Sequence, residues 1–191
     1  MPEMGKSVRM NLLDILKEEH RTVEALFDEV QSCEPDDARI DDLANTIRQE
    51  LSAHLQLEEK LFYPVLRDRS EEDEERVDVF EAYTEHDVAK HLLDLLRSGR
   101  KRDGQFKAEL QVLGENVKHH AKEEESTVFS LAHELMDDEE LDRLGDKWER
   151  AKQRLTVRQP AGRKKSGTRK KSGARKSAAR KKASRTKKRS R

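Results

Sequence analysis

Apolar residues recur at helical spacing through the first 155 residues of the chain. In the first run they follow the helical period, at Leu13, Leu16, Val23, Leu26, Phe27 and Val30. This period places them on one face of an amphipathic helix. No segment shows the strict alternation that is typical of a half-buried β-strand. The pattern therefore predicts an all-α protein.

Loop and cap residues divide this pattern into five helices. With approximate ends, and with Ser7 as the first cap, the predicted helices cover residues 7–32, 37–68, 71–97, 104–134 and 138–155. Pro64 is expected to kink the second helix or loosen its last turn, because proline lacks a backbone N–H. Leu141, Leu144 and Trp148 can pack the short fifth helix on the others. We therefore predict an up-down-up-down antiparallel four-helix bundle with a short fifth helix.

Six residues with metal-binding side chains form two sets of identical spacing. Each member of the second set follows its counterpart by 66 residues, the two sets being His20, His54 and Glu58, and His86, His120 and Glu124. A His and a Glu four residues apart share one helix face. Around both His-x-x-x-Glu pairs that face continues as an apolar stripe. Both pairs are therefore predicted to point into the core.

The turns predict that these six side chains meet at one level of the bundle. In an antiparallel helix pair, residues equally far from the connecting turn lie at the same depth. The midpoints between successive positions fall near Pro35, near Ser70 and between Gly99 and Gly104, all in loop-forming sequence. One layer of the bundle should thus contain all six side chains.

Such a layer would be costly to bury without a cation, because buried ionised groups need partners. Imidazole suits iron, zinc, copper and nickel, and bridging carboxylates favour a pair of ions. By symmetry, two histidines would go to each metal and both glutamates would bridge. Open coordination positions would then allow binding or reactivity. The alternative is a metal-free core of four histidines satisfied by two glutamates, which leaves the two identical spacings unexplained.

Three other histidines are predicted to lie outside this layer. His119 and Glu123 have the same spacing as the ligand pairs, but they break the 66-residue repeat, and their stripe contains polar residues. They are predicted to lie on the surface, as is His133. His91 is about 140° from His86 around a helix and is not expected to be a ligand.

Four segments carry a resemblance to a known family. They are EEH at 18–20, HLQLEEKLFYP from His54, TEHDVAKHLL from Thr84 and HHAKEEESTVF from His119. Over about residues 8–155 the chain resembles the hemerythrin-like HHE cation-binding family. The resemblance implies two non-haem iron ions with a solvent or oxo bridge, held by the six residues of the repeat. It also implies binding of oxygen or nitric oxide, sensing of oxygen or iron, or decomposition of peroxide.

The chain departs from oxygen-carrying hemerythrins one turn after His86. Those proteins supply a second histidine there, whereas this chain has Lys90. Reversible oxygen carriage is therefore in doubt, and a more open, reactive centre is expected. Lys90 could pair with Glu24, which is its counterpart in the repeat, or could act near the metals. Tyr83, three residues before His86, could supply a phenol or could be a simple core tyrosine, and Phe62 is expected to line the pocket.

Charge divides the chain into two predicted domains. Residues 1–155 contain all 40 acidic residues and have a net charge of −17, while residues 156–191 have a net charge of +17. The second segment is low in complexity and has no aromatic residue, so it is expected to be a disordered Lys/Arg-rich tail. The first is expected to be the helical bundle.

The basic segment predicts a nucleic-acid partner. It resembles linker-histone-like tails, and its lack of aromatics argues against base stacking. We expect DNA first and RNA second, although the segment could instead fold back on the acidic bundle. The predicted contacts are Arg163, Lys164, Lys165, Arg169, Lys170, Lys171, Arg175, Lys176, Arg180, Lys181, Lys182, Arg185, Lys187, Lys188, Arg189 and Arg191.

The remaining features bound the location and class of the protein. No signal peptide or membrane-spanning run is evident, and the single cysteine, Cys33, suits a reducing compartment. We expect a cytoplasmic, nucleoid-associated protein with no membrane partner. Three hypotheses remain open at this stage: a di-iron sensor or carrier of a small ligand, a peroxide-decomposing enzyme, and a histone-like architectural protein.

Overall fold

The protein, represented by a computed structural model, is described here for residues 10–34, 37–96 and 102–158. Its helical segments are α1 (Leu12–Ser32), α2 (Arg39–Leu57), π1 (Glu58–Phe62), α3 (Tyr63–Arg69), α4 (Asp73–Leu95), α5 (Gly104–Glu123), π2 (Glu124–Val128), α6 (Phe129–Leu135) and α7 (Asp138–Arg158). None of these described residues lies in a β-strand. The predicted all-α class is therefore confirmed.

Four long helical rods form the bundle, and α7 packs beside them. The rods are α1, α2–π1–α3, α4 and α5–π2–α6, and their ends agree with the predicted helices to within a few residues. α7 runs to Arg158, three residues past its predicted end. The predicted basic contacts from Arg163 onward lie outside the described residues.

The first helix begins later than the sequence pattern suggested. Its N-cap is Asn11, whose side-chain oxygen accepts a hydrogen bond from the backbone N–H of Asp14 at 3.0 Å. Asn is among the preferred capping residues, and Asp14 adds a favourable charge to the first turn. Ser7, the expected cap, lies outside the described residues. The buried Cys33 follows the end of this helix, as expected for a small apolar residue.

Two single-turn π-helices interrupt the second and fourth rods. The backbone N–H of Tyr63 donates to the carbonyl of Glu58, five residues earlier, and the N–H of Phe129 donates in the same way to Glu124. Such single turns of π-helix often occur at functional sites. Both begin at a predicted metal-binding glutamate, so the 66-residue repeat extends to the backbone.

Proline is not the common cause of these two distortions. Pro64 lies just after π1, in the first turn of α3, where its missing N–H is tolerated. In the fourth rod, however, the equivalent position is Ser130. The local distortion that was expected from Pro64 is thus present, but a second one forms without proline.

α7 covers one side of the bundle through apolar residues. Trp148 and Leu141 are fully buried, and they pack with the start of α1 and with residues of the second rod. Gly145 allows this close approach, because a Cβ at this position would lie only 2.8 Å from the backbone oxygen of Met10. The predicted packing of the fifth helix is confirmed. Within the described part of the chain, no helix is both long and apolar enough to span a bilayer.

Candidate metal centre

All six residues of the repeat are buried and converge in the middle of the bundle. α1 supplies the first histidine and α4 the third, while the remaining residues come from the two rods that contain π-helices. Each is at most 5 % exposed: His20, His54, Glu58, His86, His120 and Glu124. The predicted single layer of donors is therefore present in the fold.

The four histidines form two pairs. Nε2 of His20 lies 3.1 Å from Nε2 of His54, and Nε2 of His86 lies 3.1 Å from Nε2 of His120. Glu58 lies between the pairs, with Oε1 3.1 Å from His54 Nε2 and Oε2 3.3 Å from His86 Nε2. Its carboxylate is therefore placed to bridge two ions.

Glu124 is placed differently from Glu58. Its Oε2 lies 3.2 Å from Nε2 of His20, but its Oε1 accepts a hydrogen bond of 2.8 Å from the hydroxyl of Tyr63. That hydroxyl also lies 3.1 Å from Nε2 of His86. The symmetric expectation, in which both glutamates bridge in the same way, is thus met by Glu58 and modified at Glu124 by the phenol.

Each histidine directs its other ring nitrogen at a carboxylate. The Nδ1 atoms of His20 and His54 lie 2.9 Å from Glu125 and Glu19, respectively. The Nδ1 atoms of the other two histidines lie 3.0 Å from Glu59 (His86) and 2.7 Å from Glu85 (His120). An Nδ1–H that donates to a carboxylate leaves the Nε2 lone pair free for a metal. All four rings therefore present Nε2 to the centre.

These four carboxylates also follow the repeat. Glu19 and Glu85 are 66 residues apart, as are Glu59 and Glu125. Each precedes or follows a predicted ligand directly and reaches a histidine of another rod. The two halves of the bundle thus share both the ligands and the groups that orient them.

Further polar contacts fix two of these carboxylates. Oε1 of Glu19 accepts a 2.8 Å hydrogen bond from the indole Nε1–H of Trp148 and lies 3.0 Å from Nζ of Lys152. Lys90 Nζ lies 2.5 Å from Oε1 of Glu59, the same oxygen that faces His86. Lys90 therefore acts on the centre through a carboxylate, and its observed partner is Glu59 together with Asp87, not Glu24.

Electrostatics favour protons on the histidines when no cation is present. Burial lowers the pKa of His54, but the charge of Glu58 and a hydrogen bond to Glu19 outweigh it and raise that pKa to about 10. Burial also lowers the pKa of His86, and contacts with Glu58 and Glu59 raise it to about 9. Burial raises the pKa of Glu58, and the neighbouring imidazoles bring it well below its usual range. A bound cation would take the place of these protons.

The carboxylate oxygens at the centre lack a donor. Both oxygens of Glu58 and Oε2 of Glu124 are buried without a hydrogen bond, although histidine nitrogens lie within 3.3 Å of them. These distances suit an ion pair, but the angles are not those of a hydrogen bond. Buried acceptors normally have a donor or a cation. The donor set therefore fits metal ions.

Two groups of donors could each hold one ion. Within each group the ligand atoms lie within 4.8 Å of one another. The first contains His20, His54, Glu58 and Glu124, and the second contains Glu58, His86 and His120. Glu58 alone belongs to both, and this agrees with its position between the histidine pairs.

The structure separates the other candidates from the centre. His91 and His133 are exposed, as predicted. The side chain of His119 is 61 % exposed and pairs with Glu123 at 3.3 Å, so its predicted surface position is confirmed. Phe62 is fully buried and packs against the ring of Phe129.

The phenol beside the cluster comes from Tyr63 and not from Tyr83. The side chain of Tyr83 is half-buried, and its ring packs edge-on against that of Tyr63 at 5.2 Å between centroids. The prediction failed because it assumed a regular helix through Glu58. Five residues of α-helix would rotate Tyr63 by about 140° from Glu58. The π-type hydrogen bond brings it back toward the same face.

Comparison with known proteins agrees with this fold and site. Residues 11–132 match the family model described as the hemerythrin HHE cation binding domain. This stretch contains all six residues of the repeat. The chain therefore belongs to the hemerythrin HHE cation-binding domain family, whose members bind metal cations.

Two similar proteins extend the comparison. A solved structure of a hemerythrin HHE cation binding domain-containing protein from Mycobacterium kansasii has a TM-score of 0.67 and 22 % identity, over 78 % of this chain and 88 % of that one. It shows the same fold. A DNA nickase from Nostoc sp. (strain PCC 7120 / SAG 25.82 / UTEX 2576) is 28 % identical over 149 residues. The match covers 78 % of this chain and only 41 % of the nickase.

Proposed function

We propose that this protein holds two iron ions in the bundle, binds a small ligand such as oxygen, nitric oxide or peroxide there, and associates with nucleic acid through its basic segment. The observation that carries the metal part is the convergence of four Nε2 atoms and two carboxylates, with every Nδ1 directed at a carboxylate. A metal-free core would not need four oriented imidazoles.

The donor set supports iron among the possible metals. Nitrogen and carboxylate ligands together suit a borderline ion, and thiolates, which would favour zinc or copper(I), are absent from the described donors of both groups. Iron, when bound, would supply coordination positions for a diatomic ligand or peroxide and a change of oxidation state. The protein supplies the rest: it orients the imidazoles, excludes water and places one phenol at the centre.

The phenol favours a peroxide-decomposing enzyme as a second candidate. Burial and the charge of Glu124 raise the pKa of Tyr63 well above its usual range, so its hydroxyl keeps a proton at neutral pH. The hydroxyl is held between Glu124 and His86, so a polar donor faces the region where a small ligand would bind. A simple carrier needs no such group, whereas breaking an O–O bond requires a proton.

The nucleic-acid part rests on charge and on one relative. Residues 156–191 contain 17 Lys or Arg residues and no acidic residue. Displacement of counterions from a phosphate backbone favours DNA over self-association with the acidic bundle, which salt screens. The similarity to a DNA nickase gives an independent reason to choose DNA. A histone-like role, with the bundle only as a folded head, is the remaining alternative.

One set of measurements separates these functions. The iron-loaded full chain is mixed with nitric oxide or hydrogen peroxide and followed by absorption spectroscopy and an oxygen electrode. A stable new spectrum without turnover supports the sensor or carrier, and sustained oxygen release supports the enzyme. Failure to bind iron, or to change its spectrum with either ligand, would contradict the proposal for the centre.

The nucleic-acid part is tested on supercoiled plasmid. Full-length protein should retard the plasmid, and a variant with the basic residues from Arg163 onward changed to Gln should not, while binding the same amount of metal. Equal retardation by both proteins would reject the role of the segment. DNA compaction that persists in a His54→Ala variant without metal would favour the architectural role. Metal-dependent conversion to the nicked circle would instead point to strand cleavage.

A further inference from the structure

An acidic cavity of about 120 Å³ connects the surface with the candidate metal centre. It lies between α4 and the fourth rod, and its lining includes the predicted ligands His120 and Glu124. Five carboxylates line it: Asp78, Glu81, Glu85, Glu123 and Glu124. Clefts lined by charges of one sign concentrate the opposite ion and speed its arrival. The lining of this cavity therefore favours cations.

Three residues at the outer part of the cavity could hold a cation. Ligand atoms of Glu85, His119 and Glu123 lie within 4.8 Å of one another. The Nε2 of His119 is 3.3 Å from Glu123 and 3.8 Å from Glu85. The side chains of His119 and Glu123 are 61 % and 46 % exposed, so an ion can reach them from solvent.

A buried, unsatisfied oxygen lies at the inner end of the same cavity. Glu124 is 1 % exposed and lines the cavity, and its Oε2 has no hydrogen bond. His120, beside the exposed His119 in sequence, also lines it. The cavity thus joins an exposed group of donors to a buried group that needs a cation.

The other half of the bundle has lost this entrance. Positions 66 residues earlier replace the polar lining with apolar residues: Asp78 corresponds to Leu12, Glu81 to Ile15, His119 to Ala53, Glu123 to Leu57 and Thr127 to Leu61. Leu12, Ile15 and Leu57 are buried in the core cluster that contains Trp148 of α7. The repeat is therefore symmetric in its ligands and asymmetric in its access.

We propose that this cavity is the entrance for divalent metal cations, and that Glu85, His119 and Glu123 form an outer site that binds each cation before it reaches the buried centre. The inference rests on the proposed metal-binding function. Glu85 joins the two sites, because its Oε2 lies 2.7 Å from Nδ1 of His120 while its Oε1 faces His119. The outer site governs the rate of loading and leaves the final stoichiometry unchanged.

A second opening beside α2 makes a useful comparison. A groove of about 640 Å³ is lined by residues that include Ser52, Glu59 and Lys90. None of the six predicted ligands is among the residues that line it. It reaches a carboxylate that orients His86 but does not reach the centre itself.

The test is the rate of metal uptake by metal-free, full-length protein. Cobalt(II) is mixed with the protein in a stopped-flow instrument, and the visible absorption of the bound ion is recorded. His119→Ala combined with Glu123→Gln should slow loading about ten-fold at low salt, since steering contributes at least this much to ion arrival. Final cobalt content should equal that of the wild type. A control, Asp73→Asn with Glu139→Gln, removes two exposed charges elsewhere.

Blocking variants give an independent readout. Thr127→Trp fills the mouth of the acidic cavity, and Ser52→Trp fills the groove; the first should slow uptake and the second should not. Circular dichroism confirms that each variant is folded. Wild-type rates in both the double variant and Thr127→Trp would overturn the entrance, as would slowing by Ser52→Trp alone. Absence of cobalt from the wild type would instead reject the metal-binding function itself.

Discussion

Tyr63 and Phe129 occupy equivalent positions in the two halves of the bundle, 66 residues apart, and only Tyr63 has a hydroxyl group. Each follows a π-helix and donates its backbone N–H to the glutamate five residues earlier. Phe129 stacks near His20, with 6.3 Å between ring centroids, whereas Tyr63 donates to Glu124. A single oxygen atom thus makes the two halves of the centre different.

Replacing Tyr63 by Phe should make the halves alike and destabilise the metal-free protein. Oε1 of Glu124 would lose its donor while remaining buried, and an unsatisfied buried group costs about 1–3 kcal/mol. Urea denaturation of the metal-free protein measures this change. Tyr83→Phe is the matched control and should alter the free energy of unfolding by less than about 0.5 kcal/mol. Equal losses in both variants would contradict the role given to the Tyr63 hydroxyl.

Replacing Glu59 by Gln should weaken metal binding although Glu59 is not a ligand. The amide removes the negative charge that orients the His86 ring, and such changes reduce metal affinity about 10–100-fold. Glu125→Gln should behave in the same way, because it is the counterpart that faces His20. Competition with a chromophoric chelator gives the affinities. Glu18→Gln, next to Glu19 but exposed and paired with Arg21, is the control and should bind as the wild type does.

Stability should depend on pH in opposite directions with and without metal. The folded-state pKa values of His54 and His86, about 10 and 9, lie above the ordinary value of 6.5. Their protonation therefore stabilises the metal-free fold fully below pH 6.5, and this contribution is lost as pH rises to 9–10. Metal must displace the same protons, so the rise in Tm on metal addition should grow over that range.

Differential scanning fluorimetry between pH 6 and 10 measures both trends. His133→Ala, which changes an exposed histidine outside the centre, should leave the two profiles as they are in the wild type. A Tm of the metal-free protein that is constant across the range would show that the buried imidazoles are not protonated through the glutamates.

The docking of α7 should depend on the lack of a side chain at Gly145. Alanine would place a Cβ 2.8 Å from the backbone oxygen of Met10, and the backbone cannot yield as a side-chain tip can. The resulting overpacking costs about 1–3 kcal/mol and exceeds the gain in helix propensity, which is about 1 kcal/mol at most. Gly104→Ala, where nothing lies within 4 Å of the added Cβ, should not destabilise the protein. Urea denaturation of both variants checks the difference.

The ligands and the helices could be predicted because both follow periodic rules. A spacing of four residues fixes a shared helix face, and an equal distance from a turn fixes depth. These rules placed His54, Glu58 and their counterparts in the core without knowledge of any contact. They also separated the exposed His119 from its buried neighbour.

The groups that orient the ligands follow a different logic. Glu19 and Glu59 each lie next to a ligand in sequence, about 100° around the helix, and they reach histidines of other rods. Such contacts depend on how rods pack, and helical period alone does not give them. Their own 66-residue repeat, with Glu85 and Glu125, was the available signal. The π-helices likewise depend on tertiary packing, and they explain why Tyr63 replaced Tyr83 beside the centre.

The central claim is that two metal ions share one carboxylate in this bundle, and metal content after anaerobic reconstitution with iron(II) tests it most directly. The wild type should retain two equivalents per chain, His20→Ala and His120→Ala about one each, and Glu58→Gln fewer than either, because Glu58 belongs to both groups. A wild-type protein that retains no iron, or one whose content is unchanged by all three substitutions, would contradict the claim.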